Sequence, residues 1–251
     1  MLDIIEQKLK EIEETEKVKI LYCVESGSRA WGFASPDSDY DVRFIYVREK
    51  EYYLRLDKTR DVIEWQLDDV LDINGWDISK ALQLLHKSNP TLFEWNYSPI
   101  VYRKRKEWDS VSDLINEYFV SKNGLYHYLN MARTNTREFL QGDKVRLKKY
   151  FYVLRPILAC KWILKKGTPP PMLFSDLVKE CLDEEIREEV ERLLQQKINT
   201  PELGEGERIA TLNAYIERNI EQIAEAIEKL PKARNKGWNK LNEAFLSLLE
   251  D

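Results

Sequence analysis

The chain is poor in cysteine and histidine, the residues that build most zinc and thiol sites. It has three cysteines and two histidines. Cys23, Cys160 and Cys181 are far apart and include no Cys-x-x-Cys pair, and His86 and His127 are equally scattered. This spacing argues against a conventional zinc site and predicts buried free thiols in a reducing, cytoplasmic compartment.

Long apolar runs and an excess of positive charge are also missing. No stretch of about 18 uninterrupted apolar residues occurs, so we expect no membrane-spanning helix and no membrane partner. Residues 1–14, MLDIIEQKLKEIEE, alternate charge with an apolar stripe, which predicts an amphipathic helix rather than a signal peptide. The formal net charge of −5 argues against a general nucleic-acid coat.

The patterns that are present divide the chain into two predicted domains. Residues 1–105 combine strand and helix patterns, so we expect an α/β (α+β) domain with a small mixed sheet. Beyond the basic run 103–106 the apolar residues recur with helical period, and residues 106–251 are predicted to form an all-helical C-terminal domain. The elements predicted for the first domain are strands at 18–25, 40–47 and 62–67, helices at 2–15 and 78–88, and a loop or short strand pair at 68–75.

One stretch between two predicted strands carries the chemistry: residues 27–41, GSRAWGFASPDSDYD. A Gly-Ser turn brings backbone N–H groups up to a phosphate, because glycine allows close approach and adjacent amides form an anion nest. Asp39 and Asp41 are two residues apart, so on an extended chain both side chains face the same way. Paired carboxylates bind Mg²⁺, which usually bridges to substrate phosphates. The stretch therefore predicts metal-dependent nucleotide chemistry.

Asp37 and Asp41 differ in context. Asp37 lies in Ser35-Pro36-Asp37-Ser38, where an ordinary polar turn explains an aspartate, and it is left out of the site. Asp41 lies where an apolar run begins, and a carboxylate there is costly unless it is paired or bound to a metal.

The spacing of Gly27-Ser28 and Asp39-Tyr40-Asp41-Val42 resembles the signature of the DNA polymerase β-type nucleotidyltransferase superfamily. The chain departs from that signature at Ser26, where an apolar residue is usual. Three further stretches are similar to a bacterial subgroup of predicted nucleotidyltransferases, the RNA repair pathway polymerase β family, so that the resemblance covers most of residues 18–175. These stretches are SGSRAWGFASPDSDYDVRFIYV, WDISKALQLLHKSNPTLFEW and YFYVLRPILACKWI followed by GTPPP.

The resemblance implies roles for individual residues. Gly27 and Ser28 would contact the triphosphate of a nucleotide, and Asp39 and Asp41 would hold Mg²⁺, or Mn²⁺ in its place. Such enzymes use a third carboxylate in an apolar–acid–apolar setting. Asp77 in Trp-Asp-Ile and Asp72 in Leu-Asp-Ile both fit, and Asp77 is preferred, although an aspartate before a helix is also an ordinary N-cap.

Three arginines are candidates for binding phosphate. Arg29 and Arg43 flank the motif and would pair either with phosphate or with the aspartates. Arg155 lies inside an apolar run, and an internal arginine needs an anion, which could be a protein carboxylate or the phosphate of a nucleotide.

Residues 121–166 form a basic segment in an acidic protein. Two acidic residues, Glu138 and Asp143, oppose eleven basic ones, which leaves a local charge of +9, and aromatic residues are interleaved with them. The segment would serve as a track for an RNA or DNA end, or it is a solvated face balanced by the acidic residues of 176–191. The basic residues are Lys122, Arg133, Arg137, Lys144, Arg146, Lys148, Lys149, Arg155, Lys161, Lys165 and Lys166.

We expect a Mg²⁺-dependent nucleotidyltransferase that moves a nucleoside monophosphate from an NTP to a hydroxyl acceptor, with release of pyrophosphate. An RNA end is one possible acceptor. Two alternatives stay open: transfer to a protein or a small molecule by the same centre, and a nucleotide-binding regulator or antitoxin that keeps the fold without the chemistry.

Overall fold

The computed structural model describes residues 1–66, 70–200, 204–232, 234 and 236–250. The chain forms two compact units that are discontinuous in sequence. The first unit comprises Met1–Ala30, Asp39–Tyr118 and Asn235–Asp251, and the second comprises Trp31–Ser38 and Phe119–Arg234. These units differ from the predicted division at residues 105 and 106, because contacts in space group the segment 31–38 with the helices and the C-terminal segment with the sheet.

The first unit is built on a five-stranded mixed sheet with the strand order β3-β4-β2-β1-β5. Strand β2 runs parallel to β4, and the other neighbouring strands are antiparallel. The α/β class with a mixed sheet is thus confirmed. The strands are β1 (Lys19–Glu25), β2 (Tyr40–Val47), β3 (Val62–Gln66), β4 (Leu71–Asp77) and β5 (Val101–Lys104).

Helices α1 (Leu2–Glu16) and α4 (Ile78–His86) pack against this sheet. Helix α1 places Ile5, Leu9 and Ile12, spaced three and four residues apart, in the core with Val42 and Phe44 of β2. The helices of the unit are α1 (Leu2–Glu16), α2 (Gly27–Ala30), α3 (Lys50–Tyr53), α4 (Ile78–His86), α5 (Pro90–Asn96), α6 (Asp109–Ile115) and α12 (Asn239–Leu248).

Strand β4 gives the sheet its functional geometry. Its side chains alternate between buried and half-buried, with Leu71 and Ile73 facing the α1 side. The sequence predicted only a loop or short strand pair at 68–75, because the alternation is interrupted by Asn74 and Gly75. The part of that prediction at 68 and 69, and the end of the predicted third strand at Leu67, lie outside the described residues.

The second unit is mostly helical. Its core gathers Phe33 of the segment 31–38 with buried residues of α7, α8 and α11. A short antiparallel ribbon of β6 and β7, which the sequence did not predict, accompanies the helices. The elements are α7 (Ser121–Phe139), β6 (Lys144–Arg146), α8 (Lys149–Lys166), α9 (Phe174–Cys181), α10 (Arg187–Asn199), β7 (Glu205–Glu207) and α11 (Ala210–Lys229).

Cys23, Cys160 and Cys181 are all buried free thiols, as predicted. Burial raises the pKa of Cys23 and of Cys160 far above the usual value of a thiol. In the part of the chain that the structure describes, no helix is long and apolar enough to cross a membrane.

Candidate active site

Gly27 and Asp41 lie directly against each other. Gly27 has a φ of +58°, and a Cβ added to it would stand 2.0 Å from Asp41 Oδ2. The N–H of Ser26 donates to the carbonyl oxygen of Asp41 at 2.8 Å, which joins the turn to the first residues of β2. Only glycine fits this position, because it tolerates a positive φ and has no side chain to displace the carboxylate. Ser28 follows in α2 and is half-buried.

The register of β2 and β4 places a second carboxylate beside Asp41. The Cα of Asp41 is paired with the Cα of Asp72 in the parallel ladder. Directly paired residues of neighbouring strands project to the same face of the sheet. Asp72 therefore shares the Asp41 face.

Arg43 connects the two carboxylates. Its Nη2 donates to Asp41 Oδ1 at 2.9 Å and to Asp72 Oδ2 at 2.7 Å. Asp41 and Arg43 are two residues apart on β2, so their side chains leave the strand on the same face. Of the two pairings predicted for Arg43, the structure shows the one with the aspartates.

Asp77 lies elsewhere, and the structure does not group it with Asp39 and Asp41. Its Cα partner is Tyr46, five residues along β2 from Asp41, which is roughly 16 Å at about 3.3 Å per residue. Asp77 is also five residues from Asp72 on β4, and because this number is odd, the two side chains project to opposite faces of the sheet. Of the two aspartates predicted as the third ligand, β4 therefore brings Asp72 and not the preferred Asp77 to Asp41. Which of them serves as a ligand stays a prediction.

The side chain of Asp77 accepts hydrogen bonds from Ser79 and Tyr53. Its Oδ1 accepts hydrogen bonds from the N–H of Ser79 at 2.8 Å and from Ser79 Oγ at 2.7 Å, so that it caps α4. Its Oδ2 accepts from the hydroxyl of Tyr53 at 2.9 Å. Burial raises the pKa of the Asp77 carboxyl, while the hydrogen bonds from Ser79 and Tyr53 oppose that rise.

Asp39 and Arg29 complete the rim of the motif. Asp39 is exposed, just before β2 begins. Arg29 Nε donates to the backbone oxygen of Asp39 at 3.0 Å, and the guanidinium stacks over the ring of Tyr40 at 3.7 Å from the ring centroid. Arg29 therefore fixes the chain between the two aspartates through a backbone contact.

Glu25 is a buried carboxylate beside Asp41 that the sequence did not predict. It is fully buried at the end of β1, and its Oε1 accepts from the N–H of Asp41 at 2.7 Å. Its Oε2 accepts from the hydroxyl of Tyr102 on β5. The signal was a single acid at the end of the apolar run 20–25, immediately before Ser26 and Gly27. Glu25 holds the backbone of Asp41, as Arg43 holds its side chain.

The electrostatics of Asp41 reflect crowding by acids. Burial raises the pKa of its carboxyl, and the charges of Asp72 and Asp39 raise it further. The guanidinium of Arg43 is the largest opposing influence, followed by Arg29. The site thus concentrates negative charge that Arg43 only partly compensates.

The carboxylates fit a hard divalent cation in their chemistry. Among the described residues, no group of three or more His, Cys, Asp or Glu side chains is arranged to hold a metal ion. Asp41 and Asp72 nevertheless supply two oxygen donors beside Gly27. Mg²⁺ in nucleotide sites is usually held by one or two carboxylates together with substrate phosphates, and a pair of carboxylates is compatible with that pattern.

Arg155 lies in the second unit, on α8, and is buried. Its Nη2 donates to the carbonyl oxygen of Met172 at 3.4 Å, and its guanidinium lies 4.8 Å from the centroid of the Trp31 ring. These contacts, a carbonyl dipole and an aromatic face, contribute to holding the buried cation. Its role in nucleotide binding stays a prediction.

The basic segment 121–166 divides into two parts. Toward its C-terminal end, Lys161 pairs with Asp183 at 2.5 Å, and Lys165 and Lys166 pair with Glu180 at 3.3 and 3.2 Å. Acidic residues of 176–191 thus balance this end, as one of the two interpretations expected. Further basic residues lie in the middle of the segment.

Lys149 marks that middle part. It lies over the rings of Phe139 and Tyr152, 3.9 and 4.7 Å from their centroids. Burial lowers the pKa of the Lys149 ammonium, and the neighbouring charges of Lys148 and Arg146 lower it further. Arg146 is 4.0 Å from Glu205, with both side chains largely exposed. We call Arg146, Lys148 and Lys149 the basic cluster.

Comparison with known proteins gives three findings. A family model described as the RNA repair pathway DNA polymerase beta family matches residues 1–247. The uncharacterized protein YcgL of Bacillus subtilis strain 168 is 49% identical over 246 residues, which cover 97% of this chain and 95% of that protein. The crystal structure of a nucleotidyltransferase-like protein from Exiguobacterium sibiricum aligns with 98% of this chain and with 88% of that protein's chain. The aligned sequences are 12% identical, and the TM-score is 0.34.

The family of this chain is shown by the family match. The TM-score of 0.34 is too low for the structural similarity to support an argument. The family match spans both compact units, and it includes the Gly27 turn and the carboxylates on β2 and β4. The resemblance drawn from the motif is confirmed: this chain belongs to the RNA repair pathway DNA polymerase beta family.

Proposed function

We propose that the protein is a Mg²⁺-dependent nucleotidyltransferase that transfers a nucleoside monophosphate from an NTP to the hydroxyl of an RNA end and releases pyrophosphate. The single observation that carries this proposal is the contact of Gly27 with Asp41, beside Asp72 on the neighbouring strand. It joins a turn suited to phosphate with two carboxylates suited to a divalent cation.

The residues have distinct tasks in this proposal. Gly27 and Ser28 present backbone N–H groups to the triphosphate, and Asp41 and Asp72 hold the cation, with Asp39 at the rim. A bound divalent cation lowers the pKa of the attacking hydroxyl and stabilises the pyrophosphate leaving group. Glu25 and Arg43 keep Asp41 in place through its backbone and its side chain.

The proposal of an RNA acceptor is supported by the basic cluster and by the family to which the chain belongs. Lys149 combines a positive charge with two aromatic neighbours, Phe139 and Tyr152. Both rings are half-buried. Positively charged surfaces that also carry aromatic side chains bind single-stranded ends through phosphate contacts and base stacking.

Incubation with each of the four α-³²P-labelled NTPs, Mg²⁺ and total RNA tests the proposal, with a parallel incubation in protein extract. We expect label in RNA with the wild-type protein and none with Asp41→Asn, which changes one oxygen to an amide and keeps the shape. Label in protein alone would point to the side-chain-modifying alternative. Absence of label in both, with NTP still bound, would point to a non-catalytic regulator and overturn the proposal.

A further inference from the structure

Arg43 is held at four points between β2 and β4. Besides its contacts with Asp41 and Asp72, its Nη1 donates to the backbone oxygens of Val42 at 3.1 Å and Asp72 at 3.0 Å. Its side chain is 17% exposed. A planar guanidinium with four acceptors has little freedom to turn away, so its charge is a permanent part of the site.

The guanidinium donates a hydrogen bond to one oxygen of each carboxylate, Oδ1 of Asp41 and Oδ2 of Asp72. The other oxygen of Asp41, Oδ2, is the atom that faces the Cα of Gly27. Arg43 therefore leaves free the Asp41 oxygen on the side of the phosphate turn.

Two effects of Arg43 on a bound divalent cation have opposite signs. By linking the side chains of two strands, it reduces the freedom of both carboxylates and favours one geometry. By its charge it repels a second cation placed against the same carboxylates. At distances of a few ångströms and in a partly buried site, the repulsion of a divalent cation outweighs the gain from ordering two short side chains.

We propose that Arg43 is a positioning residue that holds Asp41 and Asp72 in the reactive geometry and, through its charge, weakens the binding of the divalent cation to them. The cation then binds fully only with the added negative charge of the nucleotide phosphates. This inference rests on the proposed function, because it concerns the metal at that site.

Two substitutions separate the charge of Arg43 from its geometry. Arg43→Met removes both, and Arg43→Lys keeps the charge without the fork that reaches two carboxylates. Mn²⁺ serves as the probe, and the loss of the electron paramagnetic resonance signal of free Mn²⁺ measures its binding in the absence of NTP. Steady-state transfer assays give kcat and KM for the NTP, and thermal unfolding shows that each variant is folded.

We expect Arg43→Met to bind Mn²⁺ about tenfold or more tightly than the wild type and to turn over more slowly. Arg43→Lys should bind Mn²⁺ as the wild type does, with a reduced kcat and a little-changed KM. A purely structural role would not make metal binding tighter. Should Arg43→Met fail to fold, Arg43→Lys decides, since an unchanged kcat there would overturn the positioning role.

Asp41→Asn separates the failure of this inference from that of the proposed function. If Mn²⁺ binding depends on Asp41 but is equal or weaker in Arg43→Met, only the role of Arg43 is overturned. If the wild type binds no Mn²⁺ even with a non-hydrolysable NTP present, or if Asp41→Asn binds Mn²⁺ as tightly as the wild type does, the metal site is overturned, and the inference about Arg43 is overturned with it.

Discussion

The Cα of Gly27 lies against the carboxylate of Asp41, so closely that a Cβ would stand 2.0 Å from Oδ2. The turn proposed to bind phosphate and the carboxylate proposed to bind the metal are therefore in direct contact. A substitution at Gly27 therefore tests the proposed phosphate turn and the proposed metal ligand together.

Gly27→Ala should abolish nucleotidyl transfer, because the new Cβ displaces Asp41. It should also lower the free energy of unfolding by about 1–3 kcal/mol, since alanine is strained at positive φ. Gly167→Ala is the matched control: Gly167 has a φ of +71° and nothing within 4 Å of the added Cβ. It should show the backbone cost alone and keep full activity. Equal activity losses in both variants would contradict the role of Gly27.

Asp72 and Asp77 should separate activity from stability. Asp72→Asn should lose transfer as Asp41→Asn does, with the fold intact. Asp77→Ala should keep transfer at temperatures below its unfolding transition, but lose about 1–3 kcal/mol of stability through the lost cap and the orphaned Tyr53 hydroxyl. Transfer rates and chemical denaturation of both variants measure this, and the reverse pattern would restore Asp77 as the third ligand.

Asp72 and Asp77 show which part of the candidate site can be predicted from the sequence alone. Both lie in an apolar–acid–apolar pattern, so local sequence treats them alike. Only the parallel register of β2 and β4, a pairing between segments distant in the chain, puts Asp72 beside Asp41 and turns Asp77 to the other face. The grouping of Gly27, Asp39 and Asp41 could be predicted from their spacing, because these residues are close together in the sequence.

The same limit explains β5 and Glu25. Strand β5 is four residues long and carries Arg103 and Lys104, so no strand pattern stands out. Its Tyr102 meets Glu25 across 77 positions of sequence. A lone acid ending an apolar strand signals a buried partner, but the sequence does not say which residue that is.

Tyr102→Phe should lower the free energy of unfolding by about 1–3 kcal/mol, because it removes a hydrogen bond from a fully buried carboxylate. Tyr97→Phe is the control, since the Tyr97 hydroxyl bonds Asn116 at the surface. There we expect a change within about 0.5 kcal/mol. Denaturant unfolding of both variants measures the difference, and equal losses would mean that Glu25 does not depend on Tyr102.

Lys197 should make stability depend on pH. It is almost fully buried on α10, and its Nζ is 3.4 Å from Ser35 Oγ. Burial lowers the pKa of its ammonium, the charge of Lys148 lowers it further, and Asp37 opposes them. Between that lowered value and the usual lysine pKa, the unfolded chain binds more protons, so the free energy of unfolding rises with pH.

Lys197→Met should therefore be more stable than the wild type near neutral pH, and its stability should rise less as the pH becomes alkaline. Urea unfolding at a series of pH values gives both curves. Two curves that remain parallel from neutral to alkaline pH would contradict the lowered pKa of Lys197.

The basic cluster should determine how RNA binding responds to salt. Lys149→Gln should weaken the binding of a short single-stranded RNA and reduce the slope of log K against log salt by about 1. Lys166→Gln is the control, because Lys166 already pairs with Glu180 at 3.2 Å. Fluorescence anisotropy at several salt concentrations measures the slope. Equal effects of the two substitutions would show that charge, and not the place of Lys149, matters.

Helix α12 belongs to the first unit, where it packs on α4 and α6 and buries Leu241, Ala244 and Leu248. A ribosome makes the chain from its N-terminus, so the five strands of that unit emerge long before this helix. Residues Phe119–Arg234 of the second unit are synthesised in between. The unit that carries Asp41 and Asp72 is therefore complete only after most of the second unit has been translated.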